Sequence, residues 1–159
     1  MTRKEQYNQL ILQIAGLIKD ETNLVGILAN VSATLHDTFP ERFFWVGFYL
    51  QENGNMLRLG PFQGSVACYV IPFGKGVCGK AWEEGCTLIV PDVEKFPGHI
   101  ACSSLSRSEI VVPMYDDSHT FRGVLDIDSI QLNDFNEDDK EGLERIIELL
   151  MAETQDLFQ

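Results

Sequence analysis

Apolar positions recur at helical spacing from the start of the chain. Tyr7, Leu10, Ile11, Ile14, Leu17 and Ile18 make one stripe, and after a polar break at Asp20-Glu21-Thr22-Asn23 a second follows at Leu24, Leu28, Val31 and Leu35. Side chains three and four apart share a helix face, so two amphipathic helices are expected to open the fold. The period then changes to that of strands. Residues 43–50 are rich in aromatic and β-branched side chains, and Glu52-Asn53-Gly54-Asn55 supplies an Asn-Gly turn into a second strand over 56–59. Further strands are expected at 68–71, 86–90, 109–115 and 121–130, with a short helix over 77–84 opened by Pro72 and the glycines at 74, 76 and 79. The last element is helical. Asn136 can cap it, Glu137, Asp138 and Asp139 complement its positive N-terminal dipole, and Leu143, Ile146, Ile147 and Leu150 make its buried stripe.

Helices, then strands, then a helix predict one α+β domain over residues 1–159, a largely antiparallel six-stranded sheet with the N- and C-terminal helices on one face. No repeat, linker or low-complexity tract interrupts it. The stretch 91–107 shows no apolar period, and a loop that long inside a compact domain is expected to carry function.

Strand alternation then separates two faces. Phe44, Val46, Phe48 and Leu50 are expected to face the core, with Trp45, Gly47 and Tyr49 opposite. The same rule sets Ile110, Val112 and Met114 apart from Glu109, and Leu125 and Ile127 apart from Asp126 and Asp128. Trp45, Tyr49, Glu109, Asp126 and Asp128 are therefore expected to line a pocket beneath the 91–107 loop. Three neighbouring carboxylates repel, so at least one should hold a proton more firmly than in water unless a cation sits among them. A ligand ammonium would satisfy them, and the Trp and Tyr rings could add about 0.5–2 kcal/mol per cation–π contact. The same pattern also describes the solvated face of a half-buried sheet, with the aromatics as ordinary packing.

Twelve basic residues against 24 acidic ones give a net charge of −12, which excludes nucleic-acid phosphates and anionic lipid surfaces as partners. No apolar run reaches the roughly 18 residues a membrane span needs, and the polar start shows no signal-peptide core, so a cytoplasmic location is expected. In that reducing compartment four cysteines point to catalytic, redox or buried thiols. Cys68, Cys78, Cys86 and Cys102 fit no CxxC pair and no zinc-ribbon spacing, so no structural zinc site is expected.

Cys86 is expected to be a buried small hydrophobe. Cys102 lies in the irregular loop, three positions after His99 and before Ser103-Ser104, where exposure and a lowered pKa would make it the nucleophile. His99 is either a loop residue without a catalytic part or a general base. Cys78 begins the short helix, whose dipole favours a thiolate, and stands as a rival or accessory thiol.

Gly60-Pro61-Phe62-Gln63-Gly64, Ala67-Cys68, Gly76-Val77-Cys78-Gly79, Gly98-His99-Ile100-Ala101-Cys102, Ser108-Glu109-Ile110 and Gly123-Val124-Leu125-Asp126-Ile127-Asp128-Ser129 together resemble the free methionine-R-sulfoxide reductases, a GAF-domain family. The resemblance spans nearly the whole chain. It implies a single GAF-type catalytic domain with Cys102 as catalytic thiol, Cys68 as principal resolving thiol and Cys78 as an auxiliary one, while Cys86 matches no family thiol.

It further implies that Trp45, Tyr49, Glu109, Asp126 and Asp128 bind free methionine sulfoxide; because a neutral sulfoxide oxygen leaves poorly, Glu109 is the candidate to assist its departure with a proton or a hydrogen bond. Turnover would pass through a sulfenic acid and an intramolecular disulfide that thioredoxin reduces, without metal or organic cofactor. A homodimer is left open. The competing expectation is a non-catalytic GAF domain that senses a small molecule or oxidants.

Overall fold

The computed structural model describes residues 1–158. Helices α1 (Arg3–Ile18) and α2 (Leu24–Thr38) lead into strands β1 (Trp45–Glu52), β2 (Met56–Gln63) and β3 (Val70–Pro72). Helix α3 (Gly76–Glu84), strand β4 (Leu88–Val90), a 3-10 turn (Val93–Lys95), strands β5 (Ser108–Tyr115) and β6 (Phe121–Ser129) and helix α4 (Glu137–Thr154) follow. One sheet in the order β3-β2-β1-β6-β5-β4 joins the six strands, and each neighbouring pair is antiparallel. This is the α+β layering expected from the element order.

Helices α1, α2 and α4 cover one face. Their stripes, including Tyr7, Leu10, Ile14, Leu28, Val31, Leu143 and Ile146, pack with Val46, Phe48, Ile110, Val112, Leu125 and Ile127 in one apolar core. Each such side chain fully withdrawn from water contributes about 1.5–3 kcal/mol. Asn136 caps α4 by accepting from the Asp138 and Asp139 N–H groups, and the Asp139 carboxylate accepts from the Asn136 N–H in return. Asp139 has a larger part than the dipole complement expected of it. It is wholly buried, accepting from the Tyr7 hydroxyl at 2.7 Å, from Arg3 at 2.8 Å and from Arg42 at 3.1 Å. These bonds tie α1 to the start of α4, beneath the segment that enters β1.

The other face carries α3 and a second apolar cluster that includes Trp45, Tyr49, Val77, Cys78, Val111 and Val124. Several boundaries differ from expectation. β1 begins at Trp45, so Phe44 precedes the strand, escapes its alternation and packs against this second cluster rather than the helix-side core. β2 runs to Gln63 because β1 pairs with it along its whole length, a long-range ladder that local composition does not reveal. The strand expected from position 68 starts only at Val70, and the one expected from position 86 only at Leu88. The hairpin loop holds three residues between Glu52 and Met56, with Gly54 at φ +83°, in place of a two-residue turn.

Candidate active site

Three strands place the pocket residues in rows. In the ladders Glu109 pairs with Asp128 and Asp128 with Trp45, while Val111 pairs with Asp126 and Asp126 with Gly47. Facing residues on neighbouring strands share a side of the sheet, so the carboxyls of β5 and β6 adjoin the rings of β1. Gly47 is required between them, since a Cβ there would collide with Phe62 and come within 2.9 Å of Trp45 Cη2. The Trp45 ring stacks on Tyr49 at 5.9 Å between centroids and on Phe62 at 5.1 Å.

The cavity over these rows measures about 40 Å³, room for about three water molecules, and its lining includes Cys78, His99, Cys102 and Ser106 as well as the five residues expected there. Cys68 and Cys102 are joined by a disulfide with Cα atoms 5.5 Å apart, which links the segment before β3 to the 91–107 loop at the cavity wall. Two hydrogen bonds hold the Cys68 segment onto the rings: Trp45 Nε1 donates to the Ser65 carbonyl at 3.0 Å and the Tyr49 hydroxyl to the Cys68 carbonyl at 2.9 Å. The far segment is held at its ends, where the Val93 N–H donates to the Arg107 carbonyl and the Arg107 N–H to that of Ser129.

Burial governs the electrostatics. Glu109 and Asp126 are only 5% and 6% exposed, so neither belongs to a solvated sheet face. Loss of solvent, reinforced by the Asp128 charge, raises the Glu109 carboxyl from its ordinary value to about 8. Asp126 and Asp128 are likewise pushed well above the usual carboxylate range, by burial first and then by the neighbouring acids. Ser106 Oγ donates to Asp128 Oδ1 at 3.1 Å and opposes this in part. His99 Nε2 stands 3.7 Å from Glu109 Oε1, and burial lowers its affinity for a proton. The site thus gathers acids that lack a cation.

No protein-family model matches the chain. The GAF domain-containing protein A of Dictyostelium discoideum is 56% identical over 149 residues, covering 94% of this chain and 92% of that protein. The free methionine-R-sulfoxide reductase of Saccharomyces cerevisiae is 43% identical over 155 residues, covering 94% and 86%. A solved structure of the Neisseria meningitidis free methionine-R-sulfoxide reductase in complex with its substrate superposes with a TM-score of 0.93 at 46% identity, covering 98% of this chain and 92% of that one. The chain belongs to the free methionine-R-sulfoxide reductase family. Its domain is a GAF fold.

Within this reductase-family fold, two cysteines depart from expectation. Cys86 is exposed rather than buried, because β4 begins two residues later and leaves it in the turn after α3. Cys78 does not become a favoured thiolate at the helix start. Burial raises its thiol well above the ordinary value, and the Asp126 and Glu109 charges add to the rise, so desolvation outweighs the dipole of a two-turn helix.

Two backbone amides of the 98–102 segment are engaged internally and do not face a ligand carboxylate, His99 N–H donating to the Phe96 carbonyl and Cys102 N–H to that of Ile100. Ser106 and the Ser65 carbonyl were missed, since neither residue type nor spacing marks a loop serine that reaches a strand side chain. For a metal, Cys78 Sγ and one oxygen each from Glu109 and Asp126 come within 4.8 Å of one another, three residues far apart in sequence.

Proposed function

We propose that this protein reduces free methionine-R-sulfoxide to methionine, using Cys102 as nucleophile and Cys68 as resolving thiol. The observation that carries the reading is the Cys68–Cys102 disulfide at the wall of a cavity floored by Glu109, Asp126 and Asp128. It is the oxidised end of such a cycle, formed beside the groups that would hold the substrate. The family's substrate, named for relatives that cover most of this chain, is a free amino acid whose ammonium such acids can hold.

The chemistry balances over two thiols. With the disulfide reduced, the Cys102 thiolate attacks the sulfoxide sulfur to form a sulfur–sulfur bond; the oxygen, taking a proton from Glu109, then transfers to Cys102 as the S–O and S–S bonds break, which leaves a sulfenic acid on Cys102 and methionine as the thioether. The Cys68 thiol then attacks the sulfenic sulfur, water departs, and the disulfide closes. Two further exchange steps with an external dithiol return both thiols, and thioredoxin supplies it.

Each pocket residue has a part in this sequence. Asp126 and Asp128 take the substrate ammonium, whose charge offsets the burial and the repulsion that otherwise hold their protons on. Glu109, protonated at neutral pH because its carboxyl titrates at about 8, donates to the sulfoxide oxygen as it leaves. Trp45 and Tyr49 pack against the aliphatic part of the substrate. A site that demands a free ammonium rejects methionine sulfoxide inside a polypeptide, because a peptide nitrogen leaves the buried acids unpaired. We place the reaction in the cytoplasm, where reduced dithiols are maintained.

The test is turnover of free methionine-R-sulfoxide coupled to a dithiol reductant. Wild type should turn over, Cys102→Ser should not, and a blocked methionine-R-sulfoxide peptide should be inert. Equal activity in Cys102→Ser would overturn the reading in favour of a non-catalytic sensor.

A further inference from the structure

Asp126 Oδ1 is closed off from solvent and accepts no hydrogen bond from any described residue, although Asp126 is only 6% exposed. It lines the cavity together with Cys78 and Glu109, and among the described lining residues none is a lysine or an arginine. A buried acceptor left without a donor is destabilising, the more so when it is charged, so this oxygen marks a place suited to a positive partner.

We propose that the pocket floor is a binding site for a thiophilic divalent cation of the Zn2+ class, held by Cys78 Sγ and the carboxylates of Glu109 and Asp126. These three groups are buried and lie within 4.8 Å of one another, supplied by α3, β5 and β6, so packed elements rather than a loose loop hold them together. Ligands at Zn–S and Zn–O lengths of about 2.3 and 2.1 Å in tetrahedral array stand roughly 3.5 Å apart, so closure needs side-chain shifts of about 1 Å. The donor set decides the class. Mg2+ and Ca2+ demand six or more oxygen ligands, whereas Zn2+, Cd2+ and Co2+ accept sulfur and oxygen in fourfold coordination. His99 Nε2, 3.7 Å from Glu109 Oε1, or a water in the cavity completes the sphere.

Binding releases the Cys78 proton, and any proton on the two carboxyls, to solvent, with no change of oxidation state. A cation so placed occupies the position we assign to the substrate ammonium and blocks it. The binding itself does not rest on the reductase reading.

The experiment uses the oxidised protein, in which the Cys68–Cys102 disulfide leaves Cys78 and Cys86 as the free thiols. Co2+ serves as a spectroscopic probe. The expected result is a thiolate-to-cobalt charge-transfer band that saturates at one ion per chain and is bleached by an equal amount of Zn2+. Cys86→Ser should keep the band, Cys78→Ser should lose it, and Asp126→Asn should weaken Co2+ at least about tenfold. No band in wild type, or a band that survives Cys78→Ser but not Cys86→Ser, overturns the proposal. Should the buried variants fail to fold, wild type decides alone. Zn2+ must then slow alkylation of Cys78 and leave that of Cys86 unchanged, as read by peptide mass spectrometry, and equal slowing of both or of neither counts against the site.

Discussion

The Tyr49 hydroxyl donates to the backbone carbonyl of Cys68 at 2.9 Å, so the ring on the pocket floor also holds the segment that carries half of the disulfide. Cys102 lines the cavity and Cys68 is bonded to it, both on segments outside the sheet, and this bond is one of the few that fix where the Cys68 segment lies.

Tyr49→Phe should therefore act on the recycling half of the cycle. Removing the hydroxyl leaves the ring in place, so KM should change less than about twofold, while disulfide closure after one turnover should slow several-fold. Rapid-quench measurement of free thiols after a single turnover checks this, and a large KM change with normal closure would assign Tyr49 to substrate binding alone.

Cys68→Ser should leave one turnover intact and stop the dithiol-linked cycle. The methionine formed per enzyme in the absence of reductant measures it. An equal loss of the single turnover would move Cys68 into the bond-breaking step.

Asp126→Asn removes the negative charge that Asp126 takes on when the substrate ammonium is bound, without changing shape. Hydrogen bonds to charged groups contribute about 1.5–3 kcal/mol, so KM should rise roughly tenfold to a hundredfold with kcat little altered. Steady-state kinetics over a wide substrate range checks the split, and an unchanged KM would remove the ammonium assignment.

Glu109 links activity and stability to pH, read here in chelator-treated protein. A proton donor with a carboxyl raised to about 8 loses its proton above that value, so kcat/KM should fall through an alkaline limb near pH 8 that Glu109→Gln abolishes. Stability carries the opposite sign from a salt-bridged acid. The folded value of about 8 exceeds the ordinary 4.5, so the unfolded chain sheds its proton first, and the contribution is full below about 4.5 and lost as pH rises to about 8. Denaturant unfolding across that range should show a shallower loss in Glu109→Gln than in wild type.

Asp139→Ala tests the helix anchor away from the pocket. It leaves Arg42 buried without its fully enclosed partner, and breaking a buried ion pair from one side costs about 3–5 kcal/mol. The midpoint of chemical unfolding should drop accordingly while KM at moderate temperature stays near wild type.

Much of the architecture was legible along the chain, because helix and strand periods are local. The stripe from Tyr7 to Ile18 and the alternation through Ile110 to Met114 and Leu125 to Asp128 report which face of each element meets the core under α1, α2 and α4, and that places Glu109, Asp126 and Asp128 together on the other face. Alternation failed at Phe44 only because the strand expected from position 43 starts at Trp45.

Exposure, proton affinity and partnership of the thiols depended instead on segments distant in sequence. The sequence alone determined that this chain folds as a sheet with one helix-covered side and one side bearing acids and rings, since period and charge are properties of neighbouring residues. Only the tertiary structure decided that Cys86 faces water, that Cys78 is a protonated thiol among acids, and that Trp45 and Tyr49 grip the Cys68 segment by their polar ends. Desolvation and hydrogen-bond geometry come from packing across the sheet, and no local pattern encodes which distant group will take water's place.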